Sequence, residues 1–101
     1  MGLRSELQTK FETILGSRNV YFQPPPSLLM KYPAIVYSLS DIDVLHADDE
    51  SYKIDKAYQV TAIDSNPDST IPDEIIRLPL CAFERAYRAD NLNHWVFKIY
   101  Y

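Results

Sequence analysis

In the segment LRSELQTKFETIL, apolar residues fall at Leu3, Leu7, Phe11, Ile14 and Leu15, with Arg4, Glu6, Lys10 and Glu12 between them. That spacing predicts a helix over 3–15, and Gly16 stands where such a helix stops. The period then changes from 3.6 to 2. Val20–Phe22 predicts a short strand. Pro24–Pro26 follow and cannot donate hydrogen bonds, which confines this stretch to a sheet edge or an extended arm. Ile35, Tyr37 and Leu39 alternate in PAIVYSL (33–39), and Tyr58, Val60 and Ala62 alternate in SYKIDKAYQVTAID (51–64). Ala47–Glu50 read as the turn between them, so one long antiparallel hairpin is predicted. A short helix is predicted over Pro72–Leu78, started by one proline and ended by Pro79. CAFERAYR (81–88) and HWVFKIYY (94–101) predict a second hairpin joined by ADNLN.

The order α-β-β-β-α-β-β predicts an α+β fold in a single domain spanning 1–101. Its antiparallel sheet has about five strands, with both helices packed on one face. In the strand over 94–101, Trp95, Phe97, Ile99 and Tyr101 share a face that is apolar throughout, suited to lie under the N-terminal helix. His94, Val96, Lys98 and Tyr100 share the other. A segment of this composition reads as a strand inside the sheet.

The first hairpin holds a phase conflict. Its first strand is apolar at odd positions through Leu39 and at even positions from Ile42 and Val44, whereas Tyr52, Ile54, Tyr58, Val60 and Ala62 are all even. A one-residue bulge at Ser40–Asp41 reconciles the strands, with Ile42 expected opposite Ile54 and Tyr37 opposite Tyr58. Bulges bend a ribbon, so the arm is expected to leave the sheet and project on the order of 20 Å. Ile42, Val44, Tyr52 and Ile54 then form an apolar face expected to dock on a neighbouring subunit or partner, the alternative being an arm folded back on its own sheet. Asp41, Asp43, Asp48, Asp49 and Glu50 form its solvated acidic side and guard it against unwanted strand pairing.

Composition changes the picture mainly by exclusion. The net charge of −4 argues against a nucleic-acid or membrane surface as the main partner. No apolar run approaches the ~20 residues needed to cross a bilayer, and no secretory signal core follows Met1. MGLRSE begins like a myristoylation signal but has Glu6 where serine or threonine is required. Cys81 is the lone cysteine, so an internal disulfide is excluded. It reads as a small core thiol without a basic activator nearby in sequence. His94 reads as a strand-start residue capping a loop and His46 as a solvated loop residue; neither has a metal-ligand partner at suitable spacing. The acidic hairpin lacks the central glycine and terminal glutamate of a calcium loop. Gly2 and Gly16 are the two glycines, too few and too far apart for a phosphate cradle. No catalytic, metal or cofactor site is expected. Eight tyrosines remain, a residue type that serves both interfaces and the rims of small cores.

Taken together, NVYFQPPP, KYPAIVYSLSDID, KAYQVTAID with its NPDS turn, and LPLCAFERAYRADNLNHWVFKIYY resemble a family of small tail completion or minor structural proteins of tailed bacteriophages. The resemblance runs from about Arg18 to Tyr101 and is most specific in YPAIVY with SDID, and in DNLNHWVF. The element order is similar to that of tail terminators of lambda-like phages. The resemblance implies a virion protein, assembled in the host cytoplasm, that forms a homo-oligomeric ring, hexameric in the family. That ring would cap the head-proximal end of the tail tube, stop tube growth and join the tail to the head-tail connector. The implied partners are the tail tube protein and the neck proteins, with DNA passing through without specific binding and the acidic face turned to the channel or to water. An acidic channel lets DNA slide where a basic one would grip it. A neighbouring head-tail connector or stopper is the alternative within the virion. A small intracellular protein-binding module is the alternative outside it.

Overall fold

The structure, a computed structural model, describes residues 4–47 and 51–101, of which 43–47 and 51–55 are described by their backbone. The elements run α1 (Arg4–Leu15), β1 (Val20–Phe22), β2 (Ala34–Ala47), β3 (Ser51–Asp64), α2 (Ile71–Ile76), β4 (Cys81–Ala89) and β5 (Leu92–Tyr100). This is the α+β layout that the sequence predicts. The five strands form one sheet in the order β1-β2-β3-β5-β4.

One strand departs from the antiparallel expectation. β1 pairs with β2 in parallel, Val20 opposite Ile35 and Phe22 opposite Tyr37. A hairpin would need a turn of a few residues, whereas the proline-rich segment 23–33 is long enough to carry the chain back before β2 begins. All other pairings are antiparallel.

The core lies between the helices and one face of the sheet. Leu7 and Phe11 of α1 and Ile71 and Ile75 of α2 are buried with Ile35, Tyr37, Tyr58, Val60, Ala62, Phe97 and Ile99. Leu7 and Phe11 of the predicted helical stripe are therefore buried, with Ile14 and Leu15 packed at its margin, while Leu3 lies outside the described residues. Tyr37 sits at the centre of an aromatic cluster, its ring 5.2 Å from Phe11, 4.9 Å from Phe22 and 6.0 Å from Tyr58. Its hydroxyl donates to Gln8 Oε1 and accepts from Arg4 at 3.1 Å, so the buried polar tip is satisfied from α1. The Arg4 guanidinium also lies 4.4 Å from the centre of the Phe22 ring, closing the cluster with a cation–π contact.

β5 is central, flanked by β3 and β4. Phe97 and Ile99 are buried on the helix side, and Val96 is buried on the other face, where its register neighbours are Thr61 and Arg85. Tyr101 is tied down as well. Its N–H donates to the Lys56 carbonyl at 3.0 Å, its hydroxyl donates to Glu6 at 3.3 Å, and Lys10 lies 4.8 Å from its ring centre. Of the tyrosines, Tyr37 and Tyr58 are core, whereas Tyr32 and Tyr87 are exposed.

Local chemistry explains where the chain turns. Gly16 adopts φ 75° and donates to the Glu12 carbonyl at 2.9 Å, a left-handed helix stop. The β4–β5 connection is tighter than the expected ADNLN loop, because Asp90 and Asn91 both adopt positive φ, 53° and 62°. Those are the angles of a two-residue hairpin turn, tolerated by these residue types.

Candidate subunit interface

Among the described residues, two exposed apolar surfaces and one protruding ribbon stand out from the fold. The ribbon is the predicted arm. β2 and β3 stay paired from Asp41–Ala57 to Ala47–Ser51, while β3 meets β5 only as far as Ala57. Beyond that point the ribbon has two strands and no sheet around it. A run of 14 residues at ~3.4 Å per residue spans about 48 Å, which accounts for the 51 Å long axis of the molecule.

The register shifts between Leu39 and Asp41, so the bulge is where the phase switch predicts it. Ser40 is the extra residue. Its hydroxyl donates to the Ala57 carbonyl at 3.1 Å, and the Asp41 carboxylate accepts from the Ile42 N–H at 2.8 Å. Both bonds supply partners inside the interrupted ladder.

The expected pairs are corrected, however. Ile42 lies opposite Lys56 rather than Ile54, Tyr37 opposite Val60 rather than Tyr58, and Val44 opposite Ile54. The expected register is displaced by two residues along β3. A two-residue slip leaves every side chain on its face, so alternation alone could not detect it. Ile42 is 49% exposed and Asp41 is exposed. The register also sets Asp43 opposite Asp55. The side chains of Asp43, Val44, Tyr52 and Ile54, and all of Asp48, Asp49 and Glu50, lie outside the described residues.

The first apolar surface that the sequence reading missed is an open groove of about 270 Å³ lined by Pro72, Asp73, Ile76, Phe83, Trp95 and Phe97. Its floor is Phe97, 1% exposed. Its wall is Phe83, 51% exposed and set edge-on to Phe97 at 5.5 Å. A second bulge, between Phe83 and Arg85, puts Phe83 on the helix-side face and Arg85 opposite Val96 on the other. β4 itself is a sheet edge exposed along most of its length, and it carries Glu84, Arg85 and Arg88. Charges and a bulge on an edge discourage strand addition. The groove beside β4 is the more inviting feature.

The second surface lies at the opposite edge, in the loop between β1 and β2. Leu29 is 93% exposed, and Leu28 and Tyr32 are exposed beside it. The loop is pinned: Leu28 donates to the Pro25 carbonyl at 3.0 Å, Lys31 N–H to the Tyr21 hydroxyl at 3.2 Å, and Asn19 to the Pro33 carbonyl at 3.4 Å. The readable signal was an apolar LLM run inside PPPSLLMKYP, where neither helix nor central strand can bury it.

The residues considered for chemistry are scattered. His94 lies within β5, its Nδ1–H donating to the Leu92 carbonyl at 3.2 Å and its ring stacked on Tyr87 at 4.7 Å. Cys81 is half-buried at the start of β4, and burial pushes its thiol pKa up, away from the reactive thiolate. His46 is in β2, within the ribbon. Among the described residues, no three histidine, cysteine or acidic side chains are grouped to hold a metal ion, and no helix is long and apolar enough to cross a membrane. Comparison of the chain with models of known protein families and with curated proteins returned no match.

Proposed function

We propose that this chain is a virion structural protein of a tailed bacteriophage, a tail terminator-like subunit that closes into a ring at the head-proximal end of the tail tube. The observation that carries the reading is the placement of two unlike apolar surfaces at opposite edges of one sheet, the Leu29 loop beside β1 and the α2–β4 groove. A subunit with different complementary faces joins head to tail, and such contacts close into rings when the rotation per subunit permits. The ribbon beyond Asp41–Ala57 supports the same reading, since an isolated two-stranded ribbon is marginal in water and gains from docking on a neighbour or on the tube. The phage assignment itself rests on the sequence resemblance in YPAIVY, SDID and DNLNHWVF. The excess of acidic residues suits a channel through which DNA slides.

The test is assembly. Purified protein, alone at high concentration and mixed with tail tubes, is imaged by negative stain. Closed rings and capped tubes are expected. Labelled protein found along the tube or at its distal end overturns the placement. A ring that binds the connector but leaves tube length uncontrolled assigns the protein to the neighbouring stopper position instead.

A further inference from the structure

We infer that the Leu29 loop of one subunit inserts into the α2–β4 groove of a second copy of this chain. The inference deepens the ring reading and rests on it by naming the contact that propagates the ring.

Three observations select a second copy as the occupant. The first is reach. The sheet order puts β1 and β4 four strand spacings apart, about 19 Å at ~4.8 Å each. The loop over 23–33 is fastened at both ends and must leave and return, so Leu29 cannot fill the groove of its own subunit. The second is size and polarity. The groove offers about 270 Å³ walled by Ile76, Phe83, Trp95 and Phe97, whereas a dry apolar cavity of ~150 Å³ already holds a benzene ring. A leucine side chain fits, and Leu29 is the most exposed large hydrophobic residue described. The third is charge. Lys31 is the one charged residue in 24–33, and Asp73 is the one charged residue lining the groove. Their opposite signs orient the loop as it enters.

The loop is also held in shape before it binds, which reduces the entropy lost on docking. Contact area keeps the association weak outside the assembly. A standard interface takes ~800 Å² from each partner, about an eighth of the 6675 Å² surface, and the loop over 23–33 contributes only part of that. Free subunits are then mostly separate, and a trapping experiment is the suitable probe.

The test is disulfide trapping between two variants, each in a Cys81→Ser background. Leu29→Cys protein is mixed with Ile76→Cys protein under a glutathione redox buffer and run on a non-reducing gel. As a control, Leu29→Cys is mixed with Ser17→Cys, an exposed position away from the groove. At least tenfold faster heterodimer formation than in the control is expected. A chain carrying Leu29→Cys and Ile76→Cys together should give a ladder of oligomers. With Cys81 retained, Lys31→Glu should abolish ring formation on tubes, and adding Asp73→Lys should restore it. Trapping no faster than the control overturns the contact, as do normal rings from Leu29→Asp subunits. Rings that persist in that variant leave the ring reading standing with its interface elsewhere. Efficient trapping from protein that never caps a tube upholds the contact and removes the tail assignment.

Discussion

Phe97 offers the sharpest test of the packing, because it lies beneath the groove and is also part of the core. It is 1% exposed, sits opposite Val60 on β3 and Phe83 on β4, and is buried in one cluster with Leu7, Phe11 and Ile99. Phe97→Ala removes a fully buried ring from the core between the sheet and the helices, so a loss of about 3–5 kcal/mol is expected. Phe83→Ala is the matched control. Its ring is half exposed, so the same chemical change should cost about 1 kcal/mol. A domain of this size has a net stability of ~5–15 kcal/mol, so the first variant is left near the folding threshold and the second is not. At ~4–8 °C per kcal/mol, the expected fall in Tm is about 12–40 °C for Phe97→Ala. With a urea slope of ~1.5 kcal/mol/M, its midpoint should drop by about 2–3 M. Trp95, the single tryptophan, sits half-buried two residues away and reports unfolding through its fluorescence. Equal losses for the two variants at unchanged urea slope would refute the account of β5 as the buried central strand. So would a loss below 1 kcal/mol at Phe97.

Other outcomes follow from the same structure. Replacing the ribbon between its base pair Asp41 and Ala57 with an Asn-Gly turn should leave a cooperatively melting domain that no longer caps tubes; unfolding of the shortened protein, or normal rings from it, would refute a docking role for the ribbon. Because burial raises the Cys81 thiol pKa in the folded state, the folded protein keeps this proton longer than the unfolded chain. Its contribution to stability is then present below the unfolded thiol pKa of ~8.5 and lost as pH rises through the higher folded value. Cys81→Ser should flatten that alkaline fall in a urea titration, and the native thiol should react with a disulfide reagent at pH 8 more slowly than glutathione; an equal or faster rate would contradict the burial. Gly16→Ala should cost about 1 kcal/mol through backbone strain alone, since a Cβ there meets nothing within 4 Å at φ 75°. Calorimetry showing no loss would mean that the helix stop relaxes.

Alternation and punctuation in the sequence were enough to delimit nearly every element. α1 ends at Gly16, β3 spans 51–64 as its period of 2 predicts, and the bulge at Ser40 is legible from the switch of apolar phase after Leu39. These are local properties: a helix stripe, a strand period and a turn residue each act within a few residues of themselves. Pairing is not local. The two-residue displacement of β3 against β2 preserves every face, so only the closed set of contacts around Tyr37, Tyr58 and Val60 selects the register. The same holds for β1, whose parallel course depends on where the loop over 23–33 delivers the chain. The groove needs Pro72 and Ile76 from a helix, Phe83 from an edge strand after its own bulge, and Trp95 and Phe97 from the central strand. Nothing in the spacing of those residues announces that they meet. Sequence decided which residues had to be buried in strands and helices; the three-dimensional packing decided which apolar residues were left over, and on which edges of the sheet they face outward.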